Sequence, residues 1–152
     1  MAKAYDLRVE GLDQLLRDFR KLGKEAAAEM RDASQKIADR YMAPSWRNAA
    51  LNYAGPWGQA IADSVKVRRD RLPAVNIGGN RKVFSGGATA TMVRYPSDKG
   101  NRARSGQGAR DRMPAAFGSG TNWIEQATGY QDRALEEWSQ AVDRIILKWI
   151  TL

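Results

Sequence analysis

Residues 11–41 read GLDQLLRDFRKLGKEAAAEMRDASQKIADRY. Leu12, Leu15, Leu16, Phe19, Leu22, Ala26, Ala27, Met30, Ala33, Ile37, Ala38 and Tyr41 recur mostly at intervals of three and four, which puts one apolar stripe on a helix of about 30 residues. Gly11 occupies the N-cap region, and Asp13 sits in the first turn, where the helix dipole favours an acid. Gly23 is expected to bend this helix and Pro44 to end it.

A second strong helix closes the chain. Leu135, Trp138, Val142, Ile145 and Trp149 follow the same spacing, with Asp132, Glu136 and Glu137 ahead of Arg144 and Lys148. Between the two helices, a weaker segment covers Trp46 to Tyr53 and stops at the turn dipeptide Gly55-Pro56. A short helix is possible from Trp57 to Asp63, after which the period changes to two: Ser64 to Arg68 and Ala74 to Ile77 alternate as half-buried strands do. Lys82-Val83-Phe84 and Ala90 to Tyr95 are further strand candidates, and Asp6 to Glu10 is a short alternating piece ahead of the first helix. The expectation is an α+β single domain spanning residues 1–152. A long N-terminal helix and a C-terminal helix pack on a small, mainly antiparallel sheet of three or four strands, with a long basic loop at about 96–122.

Composition narrows the chemistry. The 152 residues contain no cysteine and no histidine, which removes disulfides, thiolate nucleophiles, Ser-His-Asp catalysis and the usual zinc ligand sets. No stretch reaches the roughly 20 apolar residues of a membrane-spanning helix, and the start lacks the apolar core of a signal peptide, so a soluble cytoplasmic product is expected. The formal charge of +8 is concentrated in the middle. Lys66 to Arg112 holds twelve Lys and Arg against Asp70, Asp98 and Asp111, leaving thirteen bases and fourteen acids elsewhere. One face or loop is therefore expected to meet something negative, either a nucleic-acid backbone or an acidic protein surface.

Glu125, Glu136 and Glu137 are the best-placed carboxylates, yet adjacent helical residues point apart and no second acid is spaced to share their work. The glycine pairs Gly78-Gly79 and Gly86-Gly87 lack the Gly-Lys-Ser/Thr and GxGxxG contexts of phosphate-cradling loops. No catalytic residue, cofactor site or metal site follows, and the chain is expected not to be an enzyme. The candidate partner-binding residues are the bases around the loop, Arg94, Lys99, Arg102, Arg104, Arg110 and Arg112, with Trp46 and Trp57, whose positions beside Pro and Gly suit either a subunit interface or the core. Arg and Lys beside Phe84 and Tyr95 also permit nucleic-acid contact, although no helix-turn-helix, zinc-knuckle or RNP-like pattern accompanies them.

Val9-Glu10-Gly11-Leu12-Asp13-Gln14-Leu15 matches the form EGL-x-x-L at the start of a long helix. Gly58 to Val65, with one additional residue, follows the form G-x-L-x-x-S-[IV] on entry to a strand, and a hairpin and a final helix come after it. In these motifs and in the order of its parts the chain resembles the tail-completion (neck) protein family of tailed bacteriophages. The resemblance implies an α+β subunit that assembles as a ring between portal-side proteins and the tail. Its partners would be other copies of itself and neighbouring neck and tail proteins, with DNA met only as it passes through the ring lumen and no membrane involved. Its location would be the virion head-tail junction, and the host cytoplasm during assembly. The basic loop from Pro96 to Asn122 would be the natural arm in such an assembly.

Overall fold

A computed structural model describes residues 11–21, 23–84, 86–100 and 120–150. The fold is α+β and mostly helical, with a two-stranded antiparallel sheet. Helix α1 (Leu12–Lys21) is separated from α2 (Lys24–Ile37) at Gly23, whose φ of 95° lies in the left-handed region that ends an α-helix, so the expected bend is a full break.

Pro44 does not stop the helix. The chain runs on from α2 through a wide π turn (Ala38–Met42) into α3 (Ala43–Tyr53), with Pro44 in the first turn of α3. In that wide turn the Ala43 N–H donates to the Ala38 carbonyl five residues back. This opens the backbone where the proline ring would otherwise meet the preceding turn, and a residue without an N–H costs little at a helix start.

A 3-10 turn (Gly55–Trp57) leads into α4 (Gly58–Asp63) and then into strands β1 (Lys66–Val67) and β2 (Val75–Asn76). Lys66 pairs with Asn76, and Val67 with Val75. The two further strands expected from the sequence are not formed. Lys82 makes one isolated bridge to Thr89, and residues 90–95, read as a strand, begin helix α5 (Ala90–Lys99). Thr89 caps α5 by accepting the Met92 N–H at 3.3 Å, and Ala90, Val93 and Ser97 turn the same way into the interior. The cap and the 3.6-residue burial period outweigh the β-propensity of Thr91, Val93 and Tyr95. Pro96 to Lys99, read as the start of the loop, therefore belong to α5. A second 3-10 turn (Trp123–Gln126) precedes the C-terminal helix α6 (Gln131–Ile150). The alternating piece at residues 6–10 lies outside the described residues.

Two apolar clusters hold these elements. One joins Ala26, Met30 and Ile37 of α2 to Ala134, Trp138, Val142 and Ile145 of α6. The strand connection is fastened to it at one carbonyl: Arg71 O accepts the buried Ser34 hydroxyl at 2.7 Å and the Trp138 indole N–H at 3.2 Å. The other joins Ala50 of α3, Ala54 just after that helix, Trp57, Ile61 of α4, Val93 of α5 and Trp123. Among the described residues no helix is long and apolar enough to cross a membrane.

Candidate assembly interface at the stem of the basic segment

The second cluster carries the root of the basic segment. Helix α5 ends at Gly100, the chain is described again from Gly120, and the two sides are tied together by backbone and side-chain bonds. Thr121 N–H donates to Ser97 O at 2.9 Å and Asn122 N–H to Asp98 O at 3.1 Å, while the Thr121 hydroxyl adds a second bond to Ser97 O at 2.9 Å. Orphan carbonyls at the C-terminus of α5 are thus satisfied by the returning strand of chain.

Asp98 is the centre of this stem. Its side chain is 0% exposed, and its Oδ1 accepts the Ile124 N–H at 2.9 Å. Its Oδ2 lies 3.2 Å from Lys99 Nζ as an ion pair, without the angle of a good hydrogen bond. A buried carboxylate is costly to desolvate unless it is paired and hydrogen-bonded, and here both oxygens have something to face. Gly120 fits against the same place: a Cβ there would sit 2.3 Å from Asp98 O and 2.6 Å from Gly100 N.

Trp123 plugs the stem from inside. Its ring is 1% exposed, its indole N–H donates to Ser97 Oγ at 3.0 Å and to Arg94 O at 3.3 Å, and it meets Trp46 edge-on with centroids 6.0 Å apart. Trp46 is half-buried and lies close to Tyr130, though its N–H makes no hydrogen bond of standard geometry. Burial raises the Tyr130 phenol above its usual range, and the neighbouring Trp46 indole opposes that shift.

The expected partner-binding residues divide three ways. Trp57 is buried in the core and Trp46 packs against it, so neither ring stands free as a surface anchor. Arg94 is half-buried: its Nη1 donates to Ile77 O, its guanidinium lies 5.1 Å from the Tyr95 ring centroid, and its Nε has no hydrogen bond. Lys99 is exposed at the stem beside Asp98. Arg102, Arg104, Arg110 and Arg112 lie outside the described residues, between the two sides of the stem.

Sequence reasoning missed Asp98, Gly120 and Thr121, because reading residues 96–122 as one loop hid the helix end that they close. The available signal was a helical burial period at Ala90, Val93 and Ser97 following a Thr and ending at a Gly.

The polar groups of the stem hold backbone to backbone, so the arrangement is suited to fixing two chain ends rather than to proton transfer. Among the described residues no group of three acidic, His or Cys side chains is placed to hold a metal ion. No protein-family model matches the chain, and no curated protein or solved structure matches it.

Proposed function

We propose that the chain is a structural assembly subunit of the tail-completion type, a ring-forming protein of the head-tail junction of a tailed bacteriophage that acts by protein-protein contact and not by catalysis. The supporting observation is the closed stem. A segment carrying Arg102, Arg104, Arg110 and Arg112 starts and ends at one hydrogen-bonded point of a helical frame. A segment tethered in this way can meet a neighbour without disturbing the fold that carries it, because the stem holds its two ends together.

In this proposal the basic residues dock on acidic surfaces of a neighbouring subunit or neck protein, DNA passes only through the lumen, and no cofactor is needed. The protein would act in the virion after assembly in the host cytoplasm. A second function, direct nucleic-acid binding, is favoured by Lys66, Arg81 and Lys82, which are exposed and make no ion pair among the described residues.

The deciding experiment is the solution mass by light scattering at low and high salt, with and without double-stranded DNA. A discrete ring-sized oligomer indifferent to DNA is expected, and charge reversal of Arg102, Arg104 and Arg110 together should abolish assembly with the neck partners. Assembly that survives this reversal refutes the arm; a monomer that binds DNA strongly only at low salt puts the nucleic-acid function first.

A further inference from the structure

Helices α2 and α6 run side by side and leave a groove of about 640 Å³ between their outer flanks. Its floor is apolar, formed by Ile37, Ala141 and Ile145. Its ends are closed by ion pairs, Lys148 with Glu29 at one and Arg40 with Glu137 at the other. Arg40 is held above its usual range by Tyr41 and by Glu137. Asp32, in the middle, is taken up by Arg69 at 2.9 Å. Lys36 and Arg144 also line the middle of the groove, and both are exposed and make no ion pair among the described residues.

The complement of that pair is on α6. Asp132, Glu136 and Asp143 are exposed on α6 and make no ion pair among the described residues. At about 100° per residue these three fall on one flank, whereas Arg144 and Lys148 fall roughly a third of a turn away on the flank that faces the groove. The polar side of α6 is thus split into an acidic stripe and a basic groove wall.

We infer that the α2/α6 groove receives the acidic α6 stripe of a second copy of this chain, with its carboxylates reaching Lys36 and Arg144. The stripe and the groove are different surfaces of the same molecule, so the contact is head-to-tail, and a contact of that kind closes into a ring when its rotation permits. The inference rests on the self-assembly part of the proposed function and adds the two surfaces that carry it. It does not involve the basic segment.

A charge-swap experiment tests it. One full-length variant carries Lys36→Glu with Arg144→Glu, so that its groove and stripe are both acidic; the other carries Asp132→Lys with Glu136→Lys, so that both are basic. All four positions are exposed, and circular dichroism melts confirm that each variant is folded. Alone, each variant is expected to self-associate at least about tenfold more weakly than the wild type at low salt. The equimolar mixture should recover self-association, with the two variants alternating, because each then supplies what the other lacks. Recovery should fade as salt is raised past 0.1 M or so, where the screening length falls to about 10 Å. An oligomer that both swaps leave intact overturns this inference and leaves the ring standing. Loss with the groove swap alone assigns the groove to an acidic surface of the second copy other than the α6 stripe and also overturns it. A wild-type chain that stays monomeric at low salt overturns it together with the self-assembly on which it rests.

Discussion

Replacing Gly120 by alanine should open the stem, and Gly129 provides the control that separates two causes. Both glycines lie at positive φ, 84° and 89°, so alanine at either carries a backbone cost of about 1 kcal/mol. At Gly129 nothing lies within 4 Å of the new methyl group, so the cost ends there. At Gly120 the methyl would sit 2.3 Å from Asp98 O, 2.6 Å from Gly100 N and 2.8 Å from Asp98 C, and all three atoms are backbone. Restoring an ordinary van der Waals distance needs a shift of about 1 Å, enough to break the two backbone bonds, Thr121 N–H to Ser97 O and Asn122 N–H to Asp98 O. Each is worth about 1 kcal/mol, which with the backbone cost brings the total for Gly120→Ala to about 3 kcal/mol. The difference of about 2 kcal/mol between the two variants corresponds to roughly 1 M in a urea midpoint. Hydrogen exchange at Thr121, Asn122 and Ile124 should accelerate in Gly120→Ala and stay unchanged in Gly129→Ala. Equal destabilisation by the two alanines, or intact protection at Thr121 and Asn122, refutes the close approach as the organising feature of the stem.

Three further outcomes are expected. Gly58 has helical dihedrals, but a Cβ there would meet Ala50 O at 2.2 Å, so Gly58→Ala should cost about 2 kcal/mol by urea denaturation despite alanine's better helix propensity, through separation of α4 from α3. Ser34→Ala should cost only about 1 kcal/mol while Trp138 still donates to Arg71 O; combined with Trp138→Phe it leaves that carbonyl without either donor, and a double-mutant cycle should show the pair losing more than the sum of the singles. Because folding raises the Tyr130 phenol, its contribution is fully present below the ordinary tyrosine value of about 10 and is lost as pH rises through the folded value. Tyr130→Phe should therefore flatten the fall in stability measured from pH 9 to 11, and an unchanged slope counts against a buried phenol.

The helices at both ends were legible because each carries a long apolar stripe, and Trp138, expected in the core, is 4% exposed there. The β1-β2 hairpin was legible from alternation alone. Residues 90–95 were not, since Thr, Val and Tyr favour a strand locally and only the Thr89 cap with the burial of Ala90 and Val93 selects a helix. Pro44 misled for a related reason: the rule that proline ends a helix presumes an α-helical turn before it, and a π turn leaves no mark on the sequence pattern. For the candidate interface, charge patterning singled out Lys99 and the arginines near it, but the buried carboxylate and the glycine that close the stem follow from three-dimensional proximity between residues more than twenty positions apart.

The unbroken run of helix through residues 24–53 touches both apolar clusters, the first through Met30 and Ile37 and the second through Ala49 and Ala50. Neither cluster can come apart without disturbing one end of this shared rod, whose hydrogen bonds continue across the π turn. The two clusters are therefore thermodynamically coupled, and denaturation of the α2/α6 half should draw the stem half with it in a single cooperative step. An assembly contact made on one half would then raise the resistance of the other to unfolding, so that docking at the groove would protect the root of the basic segment without touching it.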